Sequence, residues 1–293
     1  MSILRIYLAM ASMSALLFSC SKQDIQPNTS EPKLIFKFKF DSTQVRLNNI
    51  GQPASIPAGH AAQSPVFRSM SAHYLELAPT ALTALGAGKV LYHAPEVNTG
   101  GANAIDFSQS NFAGNGETFL SVPIRDISPG TYEWLRVSLA YQQYDVKLRA
   151  SGQSLTGTIS SFIGYRTYIR DFRVRDSVVS VFANKDQGFW AFETSFAGFG
   201  FLTTGQAPPG ATTVPNPIFA TSPVPAGSCV VTGAFASPLQ ITGQEQSDII
   251  VEVSLSTNKS FEWEDLDSNG TYDPLNGDRV VDMGIRGLIP RKL

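Results

Sequence analysis

Apolar and polar side chains alternate with period two in segment after segment of this chain, and no stretch sustains the 3.6-residue repeat of an amphipathic helix. Alternation of that kind builds strands with one buried face. In "LIFKFKFD", Leu34, Phe36, Phe38 and Phe40 fall on one side and Lys37 and Lys39 on the other. "TYEWLRVSLAYQQYDVKL" sets Tyr132, Trp134, Arg136 and Ser138 against Glu133, Leu135, Val137 and Leu139, and the second set reads as the apolar face. "DSVVSVFAN", "GFWAFET", "SCVVTGAF" and "SDIIVEVSLS" add runs rich in β-branched and aromatic residues, divided by Gly, Pro, Asn and Asp. The pattern predicts an all-β chain: an antiparallel β-sandwich, jelly-roll or immunoglobulin-like, with long Pro/Gly-rich loops. Only "APTALTALGAG" offers a helix, and Pro79 with the threonines makes it equally readable as strand and turn. "TTGQAPPGATTVPNPIFATSPVPAGS" reads as a long loop and "GNGETF" as a hairpin turn.

The first residues, "MSILRIYLAMASMSALLFSC", carry one early cation, Arg5, and then an apolar run from Ile6 to Phe18. That run is shorter than the ~20 apolar residues a membrane-spanning helix needs, so it reads as an export signal over residues 1–19. "LFSC" resembles the lipobox of bacterial lipoproteins, which implies that Cys20 becomes the lipidated first residue of the mature chain. Residues 20–32, "CSKQDIQPNTSEP", are polar and hold two prolines, so they form a tether, a coil reaching about 20 Å. "CSK" followed by Asp24 is similar to the export signal of Bacteroidota surface lipoproteins. The expected location is therefore the bacterial outer membrane, facing the periplasm or the surface, with the N-terminal lipid as the sole membrane attachment. Residues 33–293 contain no internal repeat or shift in composition and read as one domain.

Loss of residues 1–19 removes Arg5 alone, leaving 21 basic against 24 acidic residues and a formal charge of −3. No clustered basic patch attracts nucleic acid. With Cys20 lipidated, Cys229 is a lone thiol, and stability has to come from the core, for which 43% hydrophobic residues suffice.

Charge concentrates in one place, "EWEDLDSNGTYDPLNGDRVVDMG". Its "DLDSNGTYD" sets Asp265, Asp267, Asn269 and Asp273 at places one, three, five and nine of a calcium loop, with Gly270 at six and the Thr271 carbonyl at seven. Place twelve, a bidentate glutamate in EF-hands, is Asn276 here, and Asp278 is the substitute if a strand follows the loop. The run resembles the DxDxNG calcium loops found outside EF-hand helix pairs, which implies structural calcium. A solvated Asx-rich turn is the competing account.

Three histidines, His60, His73 and His93, lie in the N-terminal third; convergence would make them a soft-metal site, although scattered single histidines explain them as well. The order "FKFKFD", "HYLEL…VLYHAPE", "ISPGTYEWLRVSL", "GFWAFET" and "GSCVVTG" resembles the MbnP-like family of envelope β proteins. That resemblance implies copper binding as an alternative function. Trp190, Phe192, Phe196, Phe199 and Phe201 are expected in a core, with a sugar-binding platform as the alternative. Glu262 and Glu264, on one strand face, could mimic a glycosidase pair, whereas G-x-S-x-G, H-E-x-x-H and C-x-x-C are all absent. The expectation is thus a non-catalytic binding or structural module with a protein or glycan ligand. Copper handling and envelope glycan hydrolysis are the alternatives.

Overall fold

A computed structural model describes residues 31–48, 52–207 and 227–293. The export segment, Cys20, the tether up to residue 30 and residues 208–226 of the Pro/Gly-rich run lie outside the described residues.

The chain is all-β; its helical elements among the described residues are three single 3-10 turns. The largest sheet is built around Gly130–Ala150, a strand of 21 residues. It pairs antiparallel with Val66–Ala78 along most of its length, with Cys229–Ile241 at its start and with Gln153–Phe162 at its end. Phe189–Phe196 and Phe199–Gln206 extend the sheet to one edge, and Lys89–His93 extends it on the other side.

A second sheet runs in the order Leu288–Lys292, Ile249–Ser256, Lys33–Asp41, Thr118–Pro123. The expected alternation holds in Lys33–Asp41, where Leu34, Phe36 and Phe38 are fully buried. This strand pairs parallel with Ile249–Ser256, a contact between the two ends of the domain that local pattern could not reveal. Its phenylalanines join Leu135, Val137, Leu139, Val251, Val253 and Leu255 in one core between the two sheets. Phe38 stacks on Phe119 at 4.4 Å between ring centroids. On the opposite face of the large sheet, Tyr141, Phe162 and Phe189 pack against Ile169 and Phe172 of Arg166–Arg173. A small third layer thus covers part of that face, and the central strand buries both its sides.

That burial corrects the single alternation expected for residues 131–148. Arg136, Ser138 and Gln142 are buried with Leu135, Val137 and Leu139, and Glu133 is exposed while Tyr132 enters the core. The phase also changes near Ala140. Ser71 pairs Tyr141 and Ala72 pairs Leu139, leaving Ala140 extra; Ala72 pairs Leu139 and Tyr74 pairs Ser138, leaving His73 extra. These are two opposed β-bulges, one on each strand. Met70 and Ala72 before the His73 bulge, and Leu75 and Leu77 after it, all face the main core, so the bulge reverses the parity and keeps the core on one side.

Other expectations are refined. "APTALTALGAG" is neither helix nor strand beyond Ala78: it is a turn gathered by buried Glu76, which accepts from the N–H groups of Gly86 (3.0 Å) and Gly88 (2.5 Å). "GNGETF" turns at Gly116 (φ 78°), yet its flanking strands part, Phe112–Ala113 to the large sheet and Thr118–Pro123 to the second. Thr203–Gln206, expected in the long loop, end the Phe199–Gln206 strand.

Phe38→Ala should cost about 3–5 kcal/mol in urea unfolding, as truncation of a fully buried phenylalanine does. Phe199→Ala, at a site 80% exposed, should stay within about 0.5 kcal/mol. Equal costs at the two sites would contradict the core assignment.

Candidate metal centres

Two groups of metal-competent side chains converge among the described residues: Asp265, Asp267 and Asp278, and His73, His93 and Glu96. The first lies in the connection between Phe261–Glu264 and Arg279–Met283, which pair antiparallel. Tyr272 fastens the turn from behind, packing on Phe261 (5.1 Å) and Trp263 (5.6 Å). Ser268 and Gly270 both take positive φ, 56° and 71°, folding the acidic side chains toward one another. Asp265 accepts from the main-chain N–H of Asn269 (3.2 Å) and Gly270 (2.8 Å). The Asn269 amide donates to Asp267 (2.7 Å) and Asp273 (3.3 Å) and accepts from the Thr271 N–H (2.6 Å). Beyond the 3-10 turn Pro274–Asn276, Gly277 at φ 104° reverses the chain. Asp278 thereby returns to the turn, where it accepts from the N–H groups of Asp273 (2.8 Å) and Leu266 (3.2 Å). Asn276 sits in the 3-10 turn, and the carboxylate that returns beside Asp265 and Asp267 is that of Asp278. Neighbouring Arg279 pairs with Glu264 (3.1 Å) rather than with the aspartates.

The second group forms where the His73 bulge meets the "HAPE" turn. The bulge sets two consecutive side chains, His73 and Tyr74, away from the main core, and the His93 ring lies 4.6 Å from the first and 6.4 Å from the second. Main-chain bonds hold the turn in place: the Ala94 N–H donates to the His73 carbonyl (2.7 Å) and the Asp106 N–H to that of Pro95 (2.8 Å). Glu96 Oε1 lies 2.9 Å from His73 Nε2 and 3.9 Å from His93 Nε2. Tyr165 donates to Oε1 (3.1 Å) and the Asn103 amide to Oε2 (2.5 Å). The hydrogen bond from His73, opposed by burial and aided by Asn103, holds the Glu96 carboxyl down to about 2. Burial lowers the pKa of His73 against the pull of Glu96, so the ring is neutral at neutral pH.

His60 does not join this group. It begins His60–Gln63, which pairs with Phe261–Glu264, and its Nδ1 lies 2.6 Å from Glu262 Oε1. Glu262 also pairs with Arg46, whose side chain is 10% exposed, while Glu264 pairs with Arg279. The two glutamates keep alternate positions on their strand, and the bulge opposite them, at Val281, lies on Arg279–Met283; they are nonetheless engaged by different arginines. The aromatic set divides too. Trp190 and Phe192 are half-buried over Gly205 and Gly157, glycines where a Cβ would come within 2.3 Å and 2.1 Å of the rings. Phe196, Phe199 and Phe201, expected in a core, are 50%, 80% and 57% exposed on the edge hairpin, which stays paired in the sheet.

Glu96 is the residue that reading by type and spacing missed. It stands three places after His93 in "HAPE", an interval that on a strand would part the side chains and in this turn brings them together.

Glu262→Ala should destabilise the protein by about 3–5 kcal/mol in urea, because it strands a buried Arg46 guanidinium. Glu264→Ala, which breaks a more exposed pair, should cost less than about 1 kcal/mol. Equal small effects would mean that Glu262 is not a structural anchor.

No protein-family model, curated protein or solved structure matches this chain.

Proposed function

We propose that this protein is a lipid-anchored module of the bacterial cell envelope, a β-sandwich whose acidic turn is stapled by calcium and which binds a protein or glycan ligand without catalysing a reaction. The placement of Asp278 carries the calcium reading. Its carboxylate comes back to within 4.8 Å of oxygens from Asp265 and Asp267, closing a ring of hard ligands that the Asn269 and Asp273 side chains adjoin. Carboxylates gathered without a cation repel one another, and Ca²⁺ takes six to eight oxygens of this kind. The anchor rests on the "LFSC" stretch and Cys20. A non-catalytic role is favoured because Glu262, the more buried carboxylate of the glycosidase-like pair, is engaged by Arg46 and His60.

Calcium joins two strands of one antiparallel pair, so it stabilises the folded form by mass action. At about a hundred times its Kd it adds ~2.7 kcal/mol, and extracellular modules bind in the range of roughly 10⁻⁴ to 10⁻³ M. Thermal unfolding of the full-length chain should therefore shift upward with calcium and downward with a chelator, and Asp267→Ala should remove the response. A parent protein whose unfolding ignores both calcium and chelator would overturn the staple.

A further inference from the structure

The acidic turn offers only oxygen. The site at the His73 bulge has a different chemistry, and it is independent of the calcium reading. We infer that His73, His93 and Glu96 form a second metal centre, a site with two imidazoles and one carboxylate for a borderline divalent cation such as Zn²⁺ or Cu²⁺.

Several observations converge on this assignment. One donor atom from each residue lies within 4.8 Å of the other two. Zn–N and Zn–O bonds of about 2.0–2.2 Å set donors roughly 3–3.5 Å apart in a tetrahedron, so small side-chain rotations suffice. The 2.9 Å contact between His73 and Glu96 already has that spacing. His93 Nδ1 lies 3.1 Å from the Ala94 carbonyl, which can only accept; the proton therefore sits on Nδ1 and the Nε2 lone pair is left for a metal. Glu96 is oriented by Tyr165 and Asn103, the kind of outer support that metal-bound carboxylates receive.

Burial and charge point the same way. His73 is fully buried with its Nε2 held 2.9 Å from Glu96 Oε1, so the ring is fixed for ligation through that nitrogen. Among the described residues no lysine or arginine pairs with Glu96, whose carboxylate is met by hydrogen bonds from His73, Tyr165 and Asn103. A divalent cation would supply the missing positive charge. Access is open from the side of His93, whose side chain is 40% exposed, so that three protein ligands leave a coordination position for water or an exogenous ligand. Imidazole donors favour first-row ions of this class over Ca²⁺ and Mg²⁺.

The test is calorimetric titration of the full-length chain, without an affinity tag and with calcium saturating, using Zn²⁺ and then Cu²⁺ as probes. The parent should take up one equivalent of either ion. His93→Ala, on the exposed side, and Glu96→Gln should each weaken uptake by about tenfold or more. Both variants should unfold cooperatively when metal-free, which separates lost ligation from lost folding. His60→Ala and Asp267→Ala should bind as the parent does. Failure of the parent to bind either ion, or parent-like binding by both His93→Ala and Glu96→Gln, would overturn the centre. Weaker binding in His60→Ala or Asp267→Ala alone would assign the ion elsewhere and overturn it equally. Loss of the calcium response in Asp267→Ala with Zn²⁺ uptake intact would show that the two centres stand or fall separately.

Discussion

Burial of both faces of Gly130–Ala150 is the constraint on which the other elements depend. A strand covered on both sides cannot keep a simple inside–outside alternation, and its polar residues need partners within the protein. Arg136 meets this need by donating to the Thr83 carbonyl (2.6 Å) and lying 3.7 Å from buried Glu76. Glu76 in turn fixes the turn at Gly86 and Gly88. The Gln143 amide reaches the Arg173 and Val174 carbonyls, joining the large sheet to the layer above it. Polar bonds from the central strand therefore place the loops, while the phenylalanine-rich face of Lys33–Asp41 supplies the apolar seal beneath.

Both candidate centres are by-products of local departures from regular sheet. The acidic turn uses two left-handed residues and a reversal at Gly277 to return Asp278. The histidine cluster uses a bulge to turn His73 and Tyr74 to the same side. Each converts a sequence-distant or badly phased side chain into a neighbour, which an uninterrupted strand cannot do. The two centres differ in donor chemistry, hard carboxylate oxygens in one and imidazole nitrogens in the other, so a calcium-rich exterior would not crowd out a first-row ion.

The sequence was informative wherever structure is local. Leu34, Phe36 and Phe38 revealed their buried face through period-two spacing, and the turn from Asp265 to Asp273 declared itself because its residues sit within one loop. Long-range pairing was not legible: nothing in "LIFKFKFD" indicates that Ile249–Ser256 runs parallel beside it. The bulges escaped because a bulge is a relation between two strands, and neither "SAHYLE" nor "SLAYQQ" carries a Gly or Pro to mark it. Phe196, Phe199 and Phe201 misled for a related reason. Aromatic content says that a strand is suited to burial, but whether another layer covers it is decided elsewhere in the chain.

The opposed bulges at His73 and Ala140 sit side by side on paired strands, and each holds one residue that the ladder between them does not use. Each inserts a residue, and the insertions cancel, so the register on either side remains matched. Deleting His73 alone, or Ala140 alone, would remove that bulge by joining Ala72 to Tyr74, or Leu139 to Tyr141, and would leave the pairs of these two strands and the inward-facing Leu75 and Leu77, or Leu135 and Val137, in place. Loss of both together would preserve the sheet. The core therefore does not need the extra residue at position 73, and what would be lost with it is the imidazole beside Tyr74.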